Sequence, residues 1–426
     1  MEAYRVYHKV LRVSGIYVEA YNTYGAVGDH VVIYPERGKP VDGEIIGFVE
    51  DRCIIMPLGP LSSVKAGDRV LIKREHLSTV VGTNLLGEVL DPLGRRLKDG
   101  SYPRGEKLPI LLEDINPLGR ERIREVFDCG VRSINALFTL GKGQKVGVFA
   151  GAGVGKSTLL GMIVRNSKVD AVVLGLIGER GREVREFIED VLGEEGLKKS
   201  IVVVTTSDQP PVLKVKGAIS ALVHARYLAS QGMDVLLVID SITRLAMAQR
   251  EVGLAAGEPP TAKGYTPSVF YTLSKVVEGC GSFDKGTITG IFSVLVEGDD
   301  ISLDPVADAL MAVLDGHIIL SRKRANAGIY PAVDPVRSLS RLMPQIVNRE
   351  HMNMALYIKE LLSVYEAIED VVHLGLYTPG SNPLVDRVIK NRQELINFFR
   401  QDMHQKVDYE QSLQELKELY LRLSHQ

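Results

Sequence analysis

The chain reads as a multidomain α/β protein. A small β-barrel is expected over residues 1–78, an α/β domain with a mainly parallel sheet over 79–347, and a helical domain over 348–426. Three observations predict this. The first part of the chain consists of short β-prone runs punctuated by Gly, Pro and Asp, the signature of a small barrel. In the middle, continuous apolar runs alternate with helical stretches, as in parallel strands covered on both faces. Beyond about Val347 strand signals stop and helical periodicity takes over. At 426 residues the chain also exceeds the size at which one hydrophobic core usually stops growing, so two or three domains are expected.

The barrel runs lie between about Lys9 and Ile72, as stretches 15–20, 29–34, 43–49 and 53–58. From about Thr79 the pattern changes, and 145–149, 171–177, 201–204 and 235–239 read as buried strands. In the last part, 354–362, 385–389 and 412–423 have helical periodicity, and the cluster Pro379-Gly380-Ser381-Asn382-Pro383 breaks the helices between them.

Hydrophobic residues make up 45% of the chain and its formal net charge is −2. That balance fits a soluble globular protein and argues against a dedicated non-specific nucleic-acid binder. Cys53, Cys129 and Cys280 stand alone, with no C-x-x-C pair or histidine cluster. This predicts buried thiols in a reducing compartment, without zinc or disulfides. The start, Met1-Glu2-Ala3-Tyr4-Arg5, has no signal-peptide core, and no apolar run reaches membrane-spanning length. A cytoplasmic location follows as the expectation.

The chemistry concentrates after the strand 145–149. Ala150, Gly151, Ala152, Gly153, Val154, Gly155, Lys156, Ser157 and Thr158 form a phosphate-binding loop before a helical stretch. Glycines let backbone N–H groups turn toward phosphate oxygens, and a helix N-terminus adds partial positive charge. Lys156 is placed for the outer phosphates and the Ser157 hydroxyl for Mg2+. The usual G-x-x-x-x-G-K-[ST] pattern has glycine where this chain has Ala150. A chance glycine-rich turn is the alternative, and the flanking strand and helix oppose it.

Asp240 ends the apolar strand 235–239, where a carboxylate can hold Mg2+ or its waters. Glu179 follows the strand 171–177 and is the candidate for orienting the attacking water, with Arg180 beside it to neutralise phosphate charge. The competing reading of this E-R-x-R-E string is a solvated loop with internal ion pairs. Tyr330 is a candidate for stacking on an adenine base, or a buried aromatic beside a turn. Arg341 is a candidate for reaching a neighbouring subunit's γ-phosphate, or an ordinary surface arginine. Spacing leaves both pairs of readings open.

These motifs are specific enough to carry a resemblance that covers nearly the whole chain. With 87–94 and Gly130-Val131-Arg132-Ser133-Ile134, the loop 149–157 resembles that of the rotary ATPase catalytic subunits, and more closely that of the type III protein-export ATPases. Ala150 is typical of the export ATPases, whereas the rotary synthase catalytic subunit has glycine there. The stretches 240–251, 257–260, 263–270 and 315–322 continue the likeness. The wording Ala-Met-Ala-Gln and Gly-Tyr-Thr-Pro-Ser leans toward the flagellar branch over the injectisome branch.

The resemblance implies a RecA-like P-loop NTPase domain in a homohexamer that hydrolyses Mg-ATP between adjacent subunits. Lys156, Ser157 and Asp240 fall on the family's phosphate and magnesium positions, and Glu179 on its general base, with Arg180 beside it on phosphate. Tyr330 falls on the adenine-packing tyrosine, Arg341 on the arginine presented across the boundary, and Arg244 on a second active-site arginine. Implied partners are a central coiled-coil stalk protein, a peripheral-stalk regulator, export-gate membrane proteins, and export substrates with their chaperones, at the cytoplasmic face of the inner membrane. Nucleic acid is not expected.

Two departures limit the carry-over. Only about eight residues precede the first barrel strand, which predicts either a reduced contact with the stalk regulator or a shortened chain. The C-terminal domain also lacks the synthase's acidic shaft-facing loop. An injectisome ATPase is the alternative. A synthase-type subunit, an RNA-translocating terminator hexamer and a purely structural ring subunit rank below it.

Overall fold

A computed structural model describes residues 6–296 and 301–424. The stretch Met1–Arg5, read above for a targeting signal, lies outside the described residues. Six strands close a barrel: β1 (Tyr7–Val13), β2 (Val18–Tyr21), β3 (Asp29–Tyr34), β4 (Val41–Val49), β5 (Arg52–Pro57) and β6 (Arg69–His76). Their order around it is β1-β2-β5-β4-β3-β6, antiparallel throughout, and β6 pairs back onto β1. Closure removes exposed strand edges. The interior is apolar, with Val18, Val31, Ile33, Ile45, Cys53 and Ile55 in one buried cluster. The run expected at 15–20 is narrower: Ser14 donates to the Tyr17 carbonyl at 2.8 Å, so a turn occupies its first half.

The expected α/β alternation does not begin at Thr79. Among the described residues strand β7 (Ser78–Val81) pairs only with β9 (Glu106–Pro109), and β8 (Val89–Leu90) reaches the main sheet as its edge. Two-residue strands β10 (Val126–Phe127) and β11 (Leu140–Gly141) form a separate ribbon. Gly, Pro and Asp in this stretch break both periodicities.

The central sheet contains β12 (Lys145–Ala150), β13 (Ala171–Glu179), β14 (Ser200–Thr206), β15 (Asp234–Asp240), β16 (Gly281–Ser282), β17 (Thr287–Leu295), β18 (Gly316–Leu320) and β19 (Val333–Ser340). The order is β19-β18-β12-β17-β15-β13-β14-β8, with β16 on β17. All neighbours are parallel except β18–β19 and β16–β17. Strands β12, β13, β14 and β15 read as nearly continuous apolar runs because both faces are covered. Along β13, Val172, Leu174 and Leu176 pack into one cluster, and Ala171, Val173 and Ile177 into the other.

Helices Pro211–Ser230, Ile242–Ala255 and Pro267–Glu278 supply the second cluster. Helix Lys156–Asn166 and the C-terminal helices supply the first. The helical region runs from Arg349–His373 through Pro383–Lys390 and Arg392–Phe399 to Tyr409–Ser424. Ile358, Leu361, Leu416 and Leu423 share one core with Val148, Leu160 and Val172, so these helices seat directly on the sheet's face. The barrel is fastened by a nearly buried pair, Lys216 to Glu44 at 2.8 Å.

Candidate nucleotide site

The phosphate loop leaves the carboxyl end of β12 and enters the helix Lys156–Asn166. Left-handed backbone is required at Gly153 (φ 77°) and Gly155 (φ 92°), where side chains are disfavoured. Ala150 needs no such freedom, since it still lies in the strand and is fully buried. Val154 points into the core and anchors the loop, while Ala152, Gly153 and Ser157 are exposed.

Strand order brings the polar residues to this loop. β17 and then β15 follow β12, and β13 is next. At about 4.8 Å per strand, Asp240 sits roughly 10 Å across the sheet from the end of β12, and Glu179 roughly 14 Å. The Lys156 ammonium bridges the first gap, lying 2.5 Å from Asp240 Oδ1 and 3.3 Å from Ser293 Oγ. Ser293, on the intervening β17, also donates to Asp240. The loop lysine and the strand-end carboxylate are thus one ionic cluster. Sequence reading missed Ser293, although a lone serine inside the buried run of β17 is a visible signal.

Glu179 ends β13 after a register shift at Ile177, with Gly178 at φ 72°. A Cβ on Gly178 would lie 3.2 Å from the Arg244 Cβ, so this glycine admits the arginine stem beside Glu179. Arg244 is placed by Ser241, whose hydroxyl caps the helix Ile242–Ala255 by accepting from the Arg244 N–H at 3.3 Å. Burial, followed by the negative charge of Asp240, pushes the Glu179 carboxyl up to about 7. Lys156 and Arg244 pull against that shift, and a hydrogen bond with Glu183 adds to it. A carboxyl titrating near neutrality suits a general base. Glu183 was also missed as a neighbour of this site.

The sign of that shift gives a stability prediction. The folded chain holds the Glu179 proton more tightly than the unfolded chain does. Ionising it therefore costs stability, a cost that grows between about pH 4.5 and 7 and is complete above. Discounted for partial exposure, it is about 1–2 kcal/mol. Glu179→Gln should raise the denaturation midpoint at pH 8, with the difference from wild type closing toward pH 5. A gain that ignores pH would mean that the charge of Glu179 is not its source.

The other expected residues divide. The Tyr330 ring lies against the loop, since a Cβ on Gly155 would be 3.4 Å from Tyr330 Cε1, and it is 44% exposed, leaving a face open. Arg180 turns to solvent, paired with Glu183 at 3.0 Å, and is not drawn to the loop. Arg341 sits at the opposite end of the sheet. Its N–H donates to the Asp315 carbonyl, level with Lys145, and its guanidinium donates to the Met311 carbonyl at 3.1 Å. Five residues of strand separate Lys145 from the loop, roughly 17 Å at 3.3 Å per residue. Arg341 therefore cannot reach the phosphate loop of its own chain.

Ser157 and Asp240 offer a hydroxyl and a carboxylate, hard oxygen donors of the kind Mg2+ takes. Among the described residues there is no group of three His, Cys, Asp or Glu able to hold a metal. This donor set fits an ion that shares its coordination with phosphates and water. The three cysteines are buried and free. No helix among the described residues is long and apolar enough to cross a membrane.

Comparison with known proteins places the chain in a family. Residues 130–340 match the ATP synthase alpha/beta family nucleotide-binding domain, and 10–72 match that family's beta-barrel domain. Residues 347–418 match the T3SS EscN ATPase C-terminal domain. The chain is 61% identical to a flagellum-specific ATP synthase of Aquifex aeolicus, over 98% of this chain and 94% of that protein. A protein of the same description from Bacillus subtilis is 45% identical, over 98% and 96%. Among solved structures, the assembled ATPase EscN of the enteropathogenic E. coli type III secretion system superposes with a TM-score of 0.91 at 38% identity, covering 97% of this chain and all of that one. EscN in complex with its central stalk EscO gives 0.89, also at 38% identity and with the same coverage.

Proposed function

We propose a mechanism from one premise: the chain belongs to the ATP synthase alpha/beta family, on its flagellum-specific branch. The protein is an ATP-hydrolysing enzyme of flagellar type III export. Identity of 61% to a flagellar relative against 38% to the injectisome ATPase EscN favours the flagellar over the injectisome assignment.

In the proposed site, the backbone of Gly151, Ala152, Gly153, Val154 and Gly155, with Ser157 and Thr158, cradles the phosphates. Lys156, held near the sheet by Asp240, meets the outer phosphates. Ser157 and Asp240 would hold Mg2+, which when bound neutralises phosphate charge. Tyr330 offers its open face to the adenine. Glu179 accepts a hydrogen bond from the attacking water, and its proton affinity lets it take up the proton near neutral pH. Arg244 stands beside Glu179, and Arg180 would leave Glu183 for phosphate.

Arg341 supplies positive charge to the adjacent subunit's site, and the observation that carries this is its place at the far end of its own sheet. The working form is then a homohexamer with composite sites. It would act around a central coiled-coil stalk, as EscN is seen with EscO, together with a peripheral-stalk regulator, export-gate membrane proteins, and substrates with chaperones. It would sit peripherally at the cytoplasmic face of the inner membrane. The division at about 78 and 347 is proposed as the domain organisation. ATPase activity per chain should rise steeply with protein concentration, because a lone chain lacks the arginine in trans. Constant specific activity down to dilutions where sedimentation shows monomers would overturn the composite site.

A further inference from the structure

The segment Gly130-Val131-Arg132 precedes the phosphate-loop strand and touches no proposed phosphate or base contact, yet it is elaborately bound. Arg132 is 7% exposed. Its guanidinium donates to the carbonyls of Phe398 and Arg400, both at 3.0 Å, and pairs with Glu415 at 2.5 Å. Into the same junction comes Gln401, 4% exposed. Its side-chain oxygen accepts from the Arg132 backbone N–H at 2.8 Å, and its side-chain amide donates to the Gly130 carbonyl at 2.9 Å. The backbone N–H of Gln401 donates to the Tyr330 carbonyl at 2.9 Å. One buried residue of the C-terminal region therefore grips the central domain with its side chain and the base-side tyrosine with its main chain.

We propose that Gln401 is a positioning residue for the nucleotide base: clamped on Gly130 and Arg132, it fixes the backbone from which Tyr330 projects over Gly155. Nucleotide affinity then depends on how the C-terminal helices seat on the sheet. A shift of that region reaches the base without passing through the phosphate loop. The inference rests on Tyr330 as the base platform.

The test is a double-mutant cycle in the assembled enzyme. Gln401→Met keeps the volume and gives up the side-chain hydrogen bonds. It should raise the KM for ATP about tenfold, as loss of buried hydrogen bonds allows, while kcat changes less than about twofold. Tyr330→Ala should raise KM as well, and adding Gln401→Met to it should raise KM no further. An unchanged KM in Gln401→Met, or multiplying effects in the double variant, would overturn the inference. A normal KM in Tyr330→Ala is a separate result, which removes the platform reading and the inference with it. Should Gln401→Met fail to assemble, Gln401→Asn faces the same expectation, because a side chain one methylene shorter cannot span both the Arg132 N–H and the Gly130 carbonyl.

Discussion

Glu179→Gln should bind ATP with near wild-type affinity and turn it over about 10²–10⁴-fold more slowly, the usual contribution of a positioned general base. The substitution keeps the shape and removes the group that accepts the water's proton. The contacts that place its neighbours do not pass through it: Lys156 is held by Asp240 and Ser293, and Arg244 by its helix and Gly178. The contrasting variant is Lys156→Ala, which should lose both affinity and turnover. It removes the ammonium from the outer phosphates and leaves Asp240, 3% exposed, without its cation. Titration with a fluorescent nucleotide beside a phosphate-release assay separates the two. Normal hydrolysis by assembled Glu179→Gln would mean that another group activates the water.

Arg341→Ala should lower turnover in the ring by about 10³–10⁵-fold, as removal of an arginine finger does, and should leave folding nearly unaffected. The side chain is exposed and gives up one hydrogen bond, to the Met311 carbonyl, worth about 1 kcal/mol at most. The trans geometry makes a sharper claim. Two inactive proteins, Arg341→Ala and Lys156→Ala, should regain part of the activity when mixed and reassembled. In a mixed ring some boundaries join an intact Lys156 to an intact Arg341. If Arg341 acted within its own chain, no mixture could restore a complete site.

Several parts of this site were legible in the sequence because they are contiguous. The phosphate loop is one run of residues whose glycines fall where positive φ is needed, at Gly153 and Gly155. Ala150 read as a departure and proved to be a buried strand residue that needs no left-handed backbone. Glu179 and Asp240 could be placed at the loop's end of the sheet because an apolar run that ends in a carboxylate marks the carboxyl end of a buried strand. Ser293 escaped because its partners, Lys156 and Asp240, are remote in sequence and meet it only through strand pairing. Gln401 escaped for the same reason, since Gly130, Arg132 and Tyr330, which it joins, come from two distant segments. The short strands after Thr79, which pair apart from the main sheet or at its edge, were not legible, because short pieces with frequent Gly and Pro carry no usable period.

The sequence by itself determined the local chemistry: a barrel, a phosphate loop, two strand-end carboxylates and a helical tail, each written in neighbouring residues. Tertiary structure alone decided how these meet. The order β12-β17-β15-β13 placed Asp240 within reach of Lys156 and set Glu179 one strand further out. Antiparallel return of β19 carried Arg341 to the end of the sheet away from its own phosphate loop. The physical reason is that local backbone preference and side-chain period fix which elements form. Strand order and direction are fixed by burying both faces of one sheet, and no single element encodes that.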